Sequence, residues 1–217
     1  MSHIFLIVEG VAEEMFYKSV FAEHFKRTHT FEVTVMPTKK NGHSRKEKGG
    51  MITYDLCLTN LKRYLHSTGH CDKVYLIYDY YGLHNSFLDN YEGDNSLNSK
   101  LKYIISRLEK SVNDPKFKFI LQVHEFEAFL FSMPEEIAAH FGKSRLIDRF
   151  KVILTNFNGD PELINNSSTT APSKRIIAII PEYAYGKISD GVVISGKIGI
   201  QNIMNKCKRF KEFCDNL

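Results

Sequence analysis

The stretch HIFLIVEGVAEE, residues 3–14, decides the fold that the sequence predicts. After His3, the next five residues are apolar without alternation, and residues 3–8 are therefore typical of a strand covered on both faces, in the middle of a parallel sheet. Glu9 and Gly10 end this run, and apolar residues then recur with helical spacing to about Arg27. The stretch predicts a buried strand, a tight turn and a helix, with an acid at the exit of the strand.

Two further segments repeat the pattern of a buried strand that ends in polar residues. An apolar run over residues 74–78 ends at Asp79, and another over residues 117–123 is followed by His124 and Glu125. The other elements predicted in this part of the chain are one strand and two helices, at residues 31–36, 51–65 and 101–112. Strands that alternate with helices need crossover connections, so we expect an α/β fold with a mainly parallel, four-stranded central sheet flanked by helices.

Beyond residue 132 the strand pattern stops and helical spacing takes over, which predicts helices at residues 134–141, 144–154 and 198–214. We expect residues 1–132 to form the α/β core and residues 133–217 to form a helical C-terminal portion. At 217 residues the chain is long enough for one well-buried domain. The sequence therefore predicts a single structural domain in which the helical portion packs on the same core.

Acidic residues are the candidates for chemistry, because loops diverge at the carboxyl ends of parallel strands and sites form there. The candidate catalytic residues are Glu9, Glu13, Asp79, Glu125 and Glu127. Two carboxylates about 4 Å apart repel by about 4 kcal/mol at an effective dielectric constant of about 20, so something must neutralise them. Proton sharing, a nearby lysine or arginine, or a divalent cation would do so, and hard oxygen ligands favour Mg²⁺ or Mn²⁺. Such ions can drive phosphodiester cleavage.

Each acid also has an alternative role that involves no metal. Glu9 could cap the helix that follows it, where an acid gains about 0.3 to 1 kcal/mol from the helix dipole. Glu13 is also an ordinary first-turn acid, and Asp79 could form a turn. Glu127 could pair with His124. Which of Glu125 and Glu127 points inward depends on where the backbone becomes helical.

Basic residues are candidates for contacts with nucleic acid, although the net charge of +4 does not by itself imply such a partner. The candidates after the second strand and in the C-terminal portion are Lys40, His43, Lys46, Lys48, Lys174 and Arg175. A basic loop is equally compatible with a solvated surface. Lys174 and Arg175 could instead pair with Glu162.

The four cysteines do not have the spacing of a paired zinc knuckle or the density of a disulfide scaffold. Cys71 follows His70, but no second ligand pair is evident, so the sequence predicts reduced core or surface cysteines rather than a structural zinc site. No apolar run is long enough to span a bilayer and no signal peptide is recognisable, so we expect a cytoplasmic protein. A phosphate-binding loop, a dinucleotide fingerprint and a nucleophile elbow are all absent from the sequence.

Five segments give the chain a resemblance to a small bacterial family of unknown function with a Toprim-like fold. They are VEGVAEE (8–14), IYDYYG (77–82), QVHEFEAFLFS (122–132), DPELIN (160–165) with APSKRI (171–176), and IGIQNIMNKCKRF (198–210). The resemblance covers nearly the whole chain. The wider superfamily includes topoisomerases, primases and the overcoming-lysogenisation-defect nucleases.

The resemblance implies metal ligands in this chain. It assigns metal binding to Glu9 and Asp79, while Glu13, Glu125 and Glu127 match acidic positions of the small family. The usual superfamily pattern has a second aspartate two residues after the first, but Tyr81 stands there in this chain. A two-metal site would therefore need a ligand from Glu125 or Glu127, and Glu127 is the third predicted metal ligand.

The resemblance also implies a biological setting. Members of the small family are often encoded beside ABC-type or AAA-type ATPases and resemble effectors of phage-defence or toxin-like systems. The resemblance therefore implies an ATPase partner. Together with the acidic residues, it predicts a metal-dependent nuclease that acts on DNA or RNA. We expect no association with a membrane, and the sequence leaves a homo-oligomer open. The alternative is a non-catalytic regulatory or binding subunit of an ATPase complex.

Overall fold

The computed structural model describes residues 1–38, 51–164 and 170–217. The candidate nucleic-acid residues Lys40, His43, Lys46 and Lys48 lie outside these ranges. Within them, no helix is both long and apolar enough to cross a membrane.

The described chain forms two compact units, and each is made of two stretches of sequence. The sheet unit comprises Met1–Glu14 and Phe25–Gln122, and the helical unit comprises Met15–His24 and Val123–Leu217. The sequence predicts a single domain with an α/β core over residues 1–132 and a helical portion over residues 133–217, and this organisation stays a prediction.

The sheet unit is built on four parallel strands, which are β1 (Ser2–Val8), β2 (His29–Val35), β3 (Lys73–Asp79) and β4 (Phe117–Gln122). Their order is β2-β1-β3-β4, and every neighbouring pair is parallel. The predicted α/β class with a four-stranded sheet flanked by helices is confirmed.

Burial along the strands follows from their places in the sheet. In the central strand β1, the consecutive residues from Ile4 to Val8 are all buried. In the edge strand β4, buried residues alternate with more exposed ones. A continuous apolar run is needed only where both faces of a strand are covered, so the expectation that residues 3–8 lie in mid-sheet is confirmed.

Helices α1 (Val11–Phe16) and α2 (Ala22–Phe25) follow β1, and a π-helical turn, Tyr17–Phe21, separates them. The single helix predicted to reach Arg27 is therefore interrupted and ends at Phe25. In the sheet unit, α3 (Tyr54–Ser67) and α4 (Leu97–Val112) pack against each other, and α4 also packs against β4. The side chain of Ser96 caps α4 by accepting a hydrogen bond from the Ser99 N–H at 3.2 Å.

From Val123 onwards, the described residues of the helical unit form a buried 3-10 segment, Phe126–Ser132, and six α-helices. These are α5 (Pro134–His140), α6 (Ile147–Thr155), α7 (Pro172–Ile179), α8 (Tyr183–Ile198), α9 (Ile200–Lys206) and α10 (Lys208–Asp215). Aromatic rings form much of its core: the ring centroids of Phe129 and Phe210 lie 4.6 Å apart, and Phe21 stacks on Phe213 at 5.7 Å. The helical C-terminal part is thus confirmed.

Two helical features differ from the sequence-based expectation. Helix α8 was not predicted, because Gly186, Gly191 and Gly196 lie within it and glycine disfavours helix. Close packing favours one of them, since a Cβ at Gly191 would lie 3.0 Å from the Tyr183 hydroxyl. The closing helix, predicted to run from residue 198 to 214, is broken at Cys207, whose backbone is extended.

Candidate active site

The strand order reverses between β1 and β3, and this switch point lies at the carboxyl ends of these two strands. From β1 the chain crosses to β2 on one side, whereas β3 connects to β4 on the other. Loops diverge at such a switch point and leave a crevice at the carboxyl ends of the two central strands. Glu9 directly follows β1 and Asp79 is the last residue of β3, so these two predicted site residues lie at this position.

The carboxylate of Glu9 is held close to the end of β3. The backbone N–H of Asp79 donates a hydrogen bond to Glu9 Oε2 at 3.0 Å. Gly82 lies against the same carboxylate, because a Cβ at Gly82 would lie 2.5 Å from Glu9 Oε1 and 2.7 Å from Oε2. A glycine is therefore required here for the close approach of the Glu9 carboxylate to the segment after β3.

Backbone hydrogen bonds with Ile52 fix the position of Gly82. The Ile52 N–H donates to the Gly82 carbonyl at 3.3 Å, and the His84 N–H donates to the Ile52 carbonyl at 3.0 Å. Ile52 is fully buried and forms a short parallel bridge with Leu83. The segment that cradles Glu9 is thus anchored in the core of the sheet unit.

Glu13 lies near the same place. It is in the first turn of α1, and its Oε2 would be 3.0 Å from a Cβ at Gly10. Burial raises the pKa of the Tyr78 hydroxyl, and the negative charges of Glu9, Asp79 and Glu13 raise it further. The structure therefore brings three of the five candidate catalytic acids together around the carboxyl ends of the central strands.

Comparison with known proteins gives one result. Residues 8–217 match the family described as Domain of unknown function (DUF4276), so the match includes Glu9 and runs through both units. The chain belongs to the DUF4276 family. Neither the curated proteins nor the solved structures give a match.

Glu125 of this DUF4276 chain lies in the helical unit and caps a helix. Its Oε2 accepts a hydrogen bond from the Ser173 N–H, in the first turn of α7, at 3.2 Å. A carboxylate at this position compensates the partial positive charge of the helix N-terminus. The structure gives Glu125 a local role in the helical unit.

Glu127 is 2% exposed and forms an ion pair inside the helical unit. Lys187 Nζ lies 3.0 Å from its Oε1, and the Tyr183 hydroxyl donates to the same oxygen at 3.4 Å. Burial raises the pKa of Glu127 to about 7, although Lys187 opposes this shift and Glu125 adds to it. The partner of Glu127 is Lys187 rather than His124, and its role as a metal ligand stays a prediction.

We expect Glu127→Gln to change how stability depends on pH. Between the ordinary glutamate pKa of 4.5 and about 7, folded Glu127 holds a proton that the unfolded chain has released. The folded state then binds more protons, so the stability of the parent falls as pH rises through this window, by up to about 3 kcal/mol. Glutamine cannot ionise and lacks this loss. The stability advantage of Glu127→Gln over the parent should thus grow from about pH 5 to about pH 8 in urea denaturation. A constant difference would contradict it.

Glu162, predicted from the sequence only as a partner for Lys174 or Arg175, is a buried acid. Its carboxylate accepts hydrogen bonds from the N–H groups of Arg209 and Phe210, at 2.9 and 3.0 Å, and lies 3.7 Å from His124 Nε2. Burial works to raise the pKa of Glu162, but the interaction with His124 and the two backbone hydrogen bonds lower it below the usual value. The acid caps α10, whose own N-cap position holds Cys207.

The predicted pairing of Glu162 with Lys174 or Arg175 is therefore wrong, because Glu162 is committed to α10 and His124. Arg175 Nε donates to the Thr170 carbonyl at 2.7 Å, and its guanidinium lies 5.1 Å from the Phe157 ring centroid. Lys174 is exposed. Contact of these two residues with phosphate stays a prediction.

Proposed function

We propose that this DUF4276 protein is a Mg²⁺- or Mn²⁺-dependent nuclease that hydrolyses phosphodiester bonds in DNA or RNA, with Glu9 and Asp79 as metal ligands. The observation that carries the proposal is the hydrogen bond from the Asp79 N–H to the Glu9 carboxylate at the switch point of the sheet. It supports a site in which acids from the two central strands act together.

The residues at this edge fit a hard divalent ion. Carboxylate oxygens are the protein ligands that Mg²⁺ and Mn²⁺ favour. Gly82 leaves room for the Glu9 carboxylate, and the Asp79 amide orients it, which is the support that a ligand needs from its surroundings. Glu13 adds negative charge beside them, which attracts a cation to this edge.

The chemistry assigned to these acids is ligand binding and positioning. When bound, a divalent ion lowers the pKa of water and stabilises the charge that develops on the leaving oxygen. Glu9 and Asp79 would hold it, with Glu9 kept in place by the amide of the neighbouring strand. Glu13, in the first turn of α1 near Gly10, would add negative charge beside the ion.

The resemblance to Toprim-like proteins supports the same assignment, since it also points to Glu9 and Asp79. By that resemblance we further propose that the protein is an effector in a phage-defence or toxin-like system and works with an ABC-type or AAA-type ATPase in the cytoplasm.

A second candidate function is a non-catalytic regulatory or binding subunit of an ATPase complex. Two observations favour it. Tyr81 stands where the related superfamily has a second aspartate, and Glu127, which could have supplied a replacement ligand, is bound to Lys187. In this case the acids at the switch point would bind a metal without cleaving nucleic acid.

A cleavage assay separates the two functions. The purified full chain is incubated with plasmid DNA, single-stranded DNA and tRNA, each with Mn²⁺, Mg²⁺ or EDTA, alone and with the ATPase partner if one is identified. Cleavage that EDTA abolishes and that Glu9→Gln and Asp79→Asn both lose supports the nuclease. If metal binds to the parent but no substrate is cut, the regulatory subunit is favoured.

We expect Gly82→Ala to weaken metal binding without unfolding the protein. The new methyl group would lie 2.5 Å from Glu9 Oε1, so the flexible carboxylate must move away from the Asp79 amide. Loss of such support typically costs about 10- to 100-fold in metal affinity. The measurement is a Mn²⁺ titration followed by electron paramagnetic resonance.

Gly69→Ala is the matched control, because nothing lies within 4 Å of a Cβ at Gly69. It should bind Mn²⁺ as the parent does. Equal Mn²⁺ affinity of Gly82→Ala and the parent would show that the position of the Glu9 carboxylate does not matter for metal binding.

A further inference from the structure

The opposite, amino-terminal edge of the sheet carries a second group of possible metal ligands. His3 lies on β1, Glu32 on β2, and His70 and Cys71 lie just before β3. One donor atom from each of these four residues can be chosen so that all four atoms lie within 4.8 Å of one another. Residues 67 positions apart in sequence meet here because β1 lies between β2 and β3.

The two imidazoles already converge on one carboxylate oxygen. His3 Nε2 lies 2.9 Å and His70 Nε2 lies 2.8 Å from Glu32 Oε1. The ring centroids of the two histidines are 5.3 Å apart. Cys71 is only 5% exposed, so its thiol forms the inner side of the group, whereas the histidines reach solvent.

The backbone around the group is held in register. The Asp72 carboxylate accepts a hydrogen bond from the His3 N–H at 2.8 Å, and the Asp72 N–H donates to the His3 carbonyl at 2.8 Å. These two bonds tie the segment that contains His70 and Cys71 directly to His3. The Thr30 hydroxyl lies 2.6 Å from His3 Nδ1, so it can fix the ring orientation while Nε2 faces the group.

We propose that His3, Glu32, His70 and Cys71 form a Zn²⁺ site. Nitrogen, sulfur and carboxylate donors are the ligands of zinc, and four of them satisfy its tetrahedral coordination. Zinc–ligand bonds of about 2.0 to 2.3 Å place neighbouring donors about 3.3 to 3.8 Å apart. The observed group needs shifts of about 1 Å to reach this: the Glu32 oxygen moves slightly away from the imidazoles and the most distant donor moves closer.

The donor set separates this site from the acids at the other edge of the sheet. Imidazole and thiolate bind borderline and soft ions, whereas Mg²⁺ and Mn²⁺ prefer oxygen. The inference is independent of the proposed nuclease, because none of the four residues belongs to that site. The site would connect the starts of β1 and β3 with the middle of β2 and stabilise the sheet unit whenever zinc binds the folded state more tightly than the unfolded one.

The test uses the untagged full chain, because a histidine tag would itself bind zinc. After metal is removed by chelation, Zn²⁺ is titrated in competition with a chromophoric chelator, and Co²⁺ is used as a spectroscopic probe. We expect about one Zn²⁺ per chain and a thiolate-to-cobalt charge-transfer absorption. His70→Ala should lower the zinc affinity at least about 100-fold, since even the loss of a residue that only supports a ligand costs about 10- to 100-fold.

Cys71→Ser should abolish the charge-transfer absorption, and Thr30→Val should weaken zinc binding about 10- to 100-fold. The matched controls are His66→Ala, at an exposed histidine in the last turn of α3, and Cys214→Ser, at a cysteine that is 6% exposed. Both controls should bind zinc as the parent does. Circular dichroism establishes that each variant is folded, and if Cys71→Ser does not fold, His70→Ala decides alone because its side chain is 55% exposed.

Three outcomes would overturn the proposal. They are the absence of zinc binding to the parent, zinc binding that survives His70→Ala unchanged, and a cobalt complex without a thiolate absorption. The first two outcomes would leave the group as a hydrogen-bonded cluster of two histidines and a glutamate beside a buried thiol, and the third would exclude the Cys71 thiolate as a ligand.

Discussion

Glu9→Gln is expected to reduce metal-dependent cleavage at least about 100-fold, which corresponds to about 2.7 kcal/mol of transition-state stabilisation. Glutamine has nearly the same shape, and its carbonyl can still accept the hydrogen bond that the Asp79 N–H donates to Glu9. The variant therefore keeps the fold and loses the charge that would bind the ion. The measurement is the initial rate of cleavage across a range of Mn²⁺ concentrations.

A double variant makes this prediction sharper. If Glu9 and Asp79 hold the same ion, the double variant Glu9→Gln with Asp79→Asn should cleave only slightly more slowly than the less active of the two single variants. The reason is that the effects of residues that act as a unit do not add. Glu92→Gln is a matched control at an exposed acid of the same unit and should cleave at the parent rate. Cleavage by Glu9→Gln at the parent rate would rule out Glu9 as a ligand.

Glu162→Ala is expected to lower the free energy of unfolding by about 3 to 5 kcal/mol. The substitution removes the acceptor for the N–H groups of Arg209 and Phe210, and Phe210 is 2% exposed. It also removes the carboxylate beside His124, which is 4% exposed. Buried polar groups that lose their partners pay the full cost of desolvation. Urea denaturation measures the effect.

The pH dependence of this effect has a definite sign. The folded-state pKa of Glu162 is lowered, so the carboxylate stabilises the fold above the ordinary pKa of 4.5 and loses this contribution as pH falls through the lowered value. The gap between the parent and Glu162→Ala should narrow in acid. Glu212→Ala, at an exposed acid on α10, should stay within about 0.5 kcal/mol of the parent. A similar loss in both variants would mean that Glu162 does not cap α10.

The sheet was predictable because its periodicity is strong. Continuous apolar runs gave the central strands β1 and β3, and the alternation of strands and helices gave the parallel sheet. The helices of the helical unit were harder to predict from the sequence. Helix α8 contains three glycines, and the break at Cys207 is stabilised by Glu162, which is 45 residues earlier in the sequence. Local propensity contains no information about such a distant cap.

The candidate site was predictable to the same extent as the strands that position it. Glu9 and Asp79 were found because each lies at the carboxyl end of a recognisable strand. The strand order then makes them neighbours, since β1 and β3 are adjacent in the sheet. The contact between Gly82 and the Glu9 carboxylate could not be read from sequence, because it depends on the path of the chain after β3. For a similar reason, the sequence did not predict that Glu32 and His3 lie close to Cys71, because only the pairing of the strands brings them there.

The way in which the two units share the chain affects how the protein can be made and dissected. Residues 15–24 belong to the helical unit, and within them Phe21 stacks on Phe213, which is 192 positions later. During synthesis these early aromatic residues can contact their partners only after almost the whole chain has left the ribosome. Contacts between residues so far apart in sequence form slowly. A fragment that ends at Gln122 would leave Phe16 and Phe21 without their core, and one that starts at Val123 would lack them. Neither unit can be obtained by a single cut in the gene.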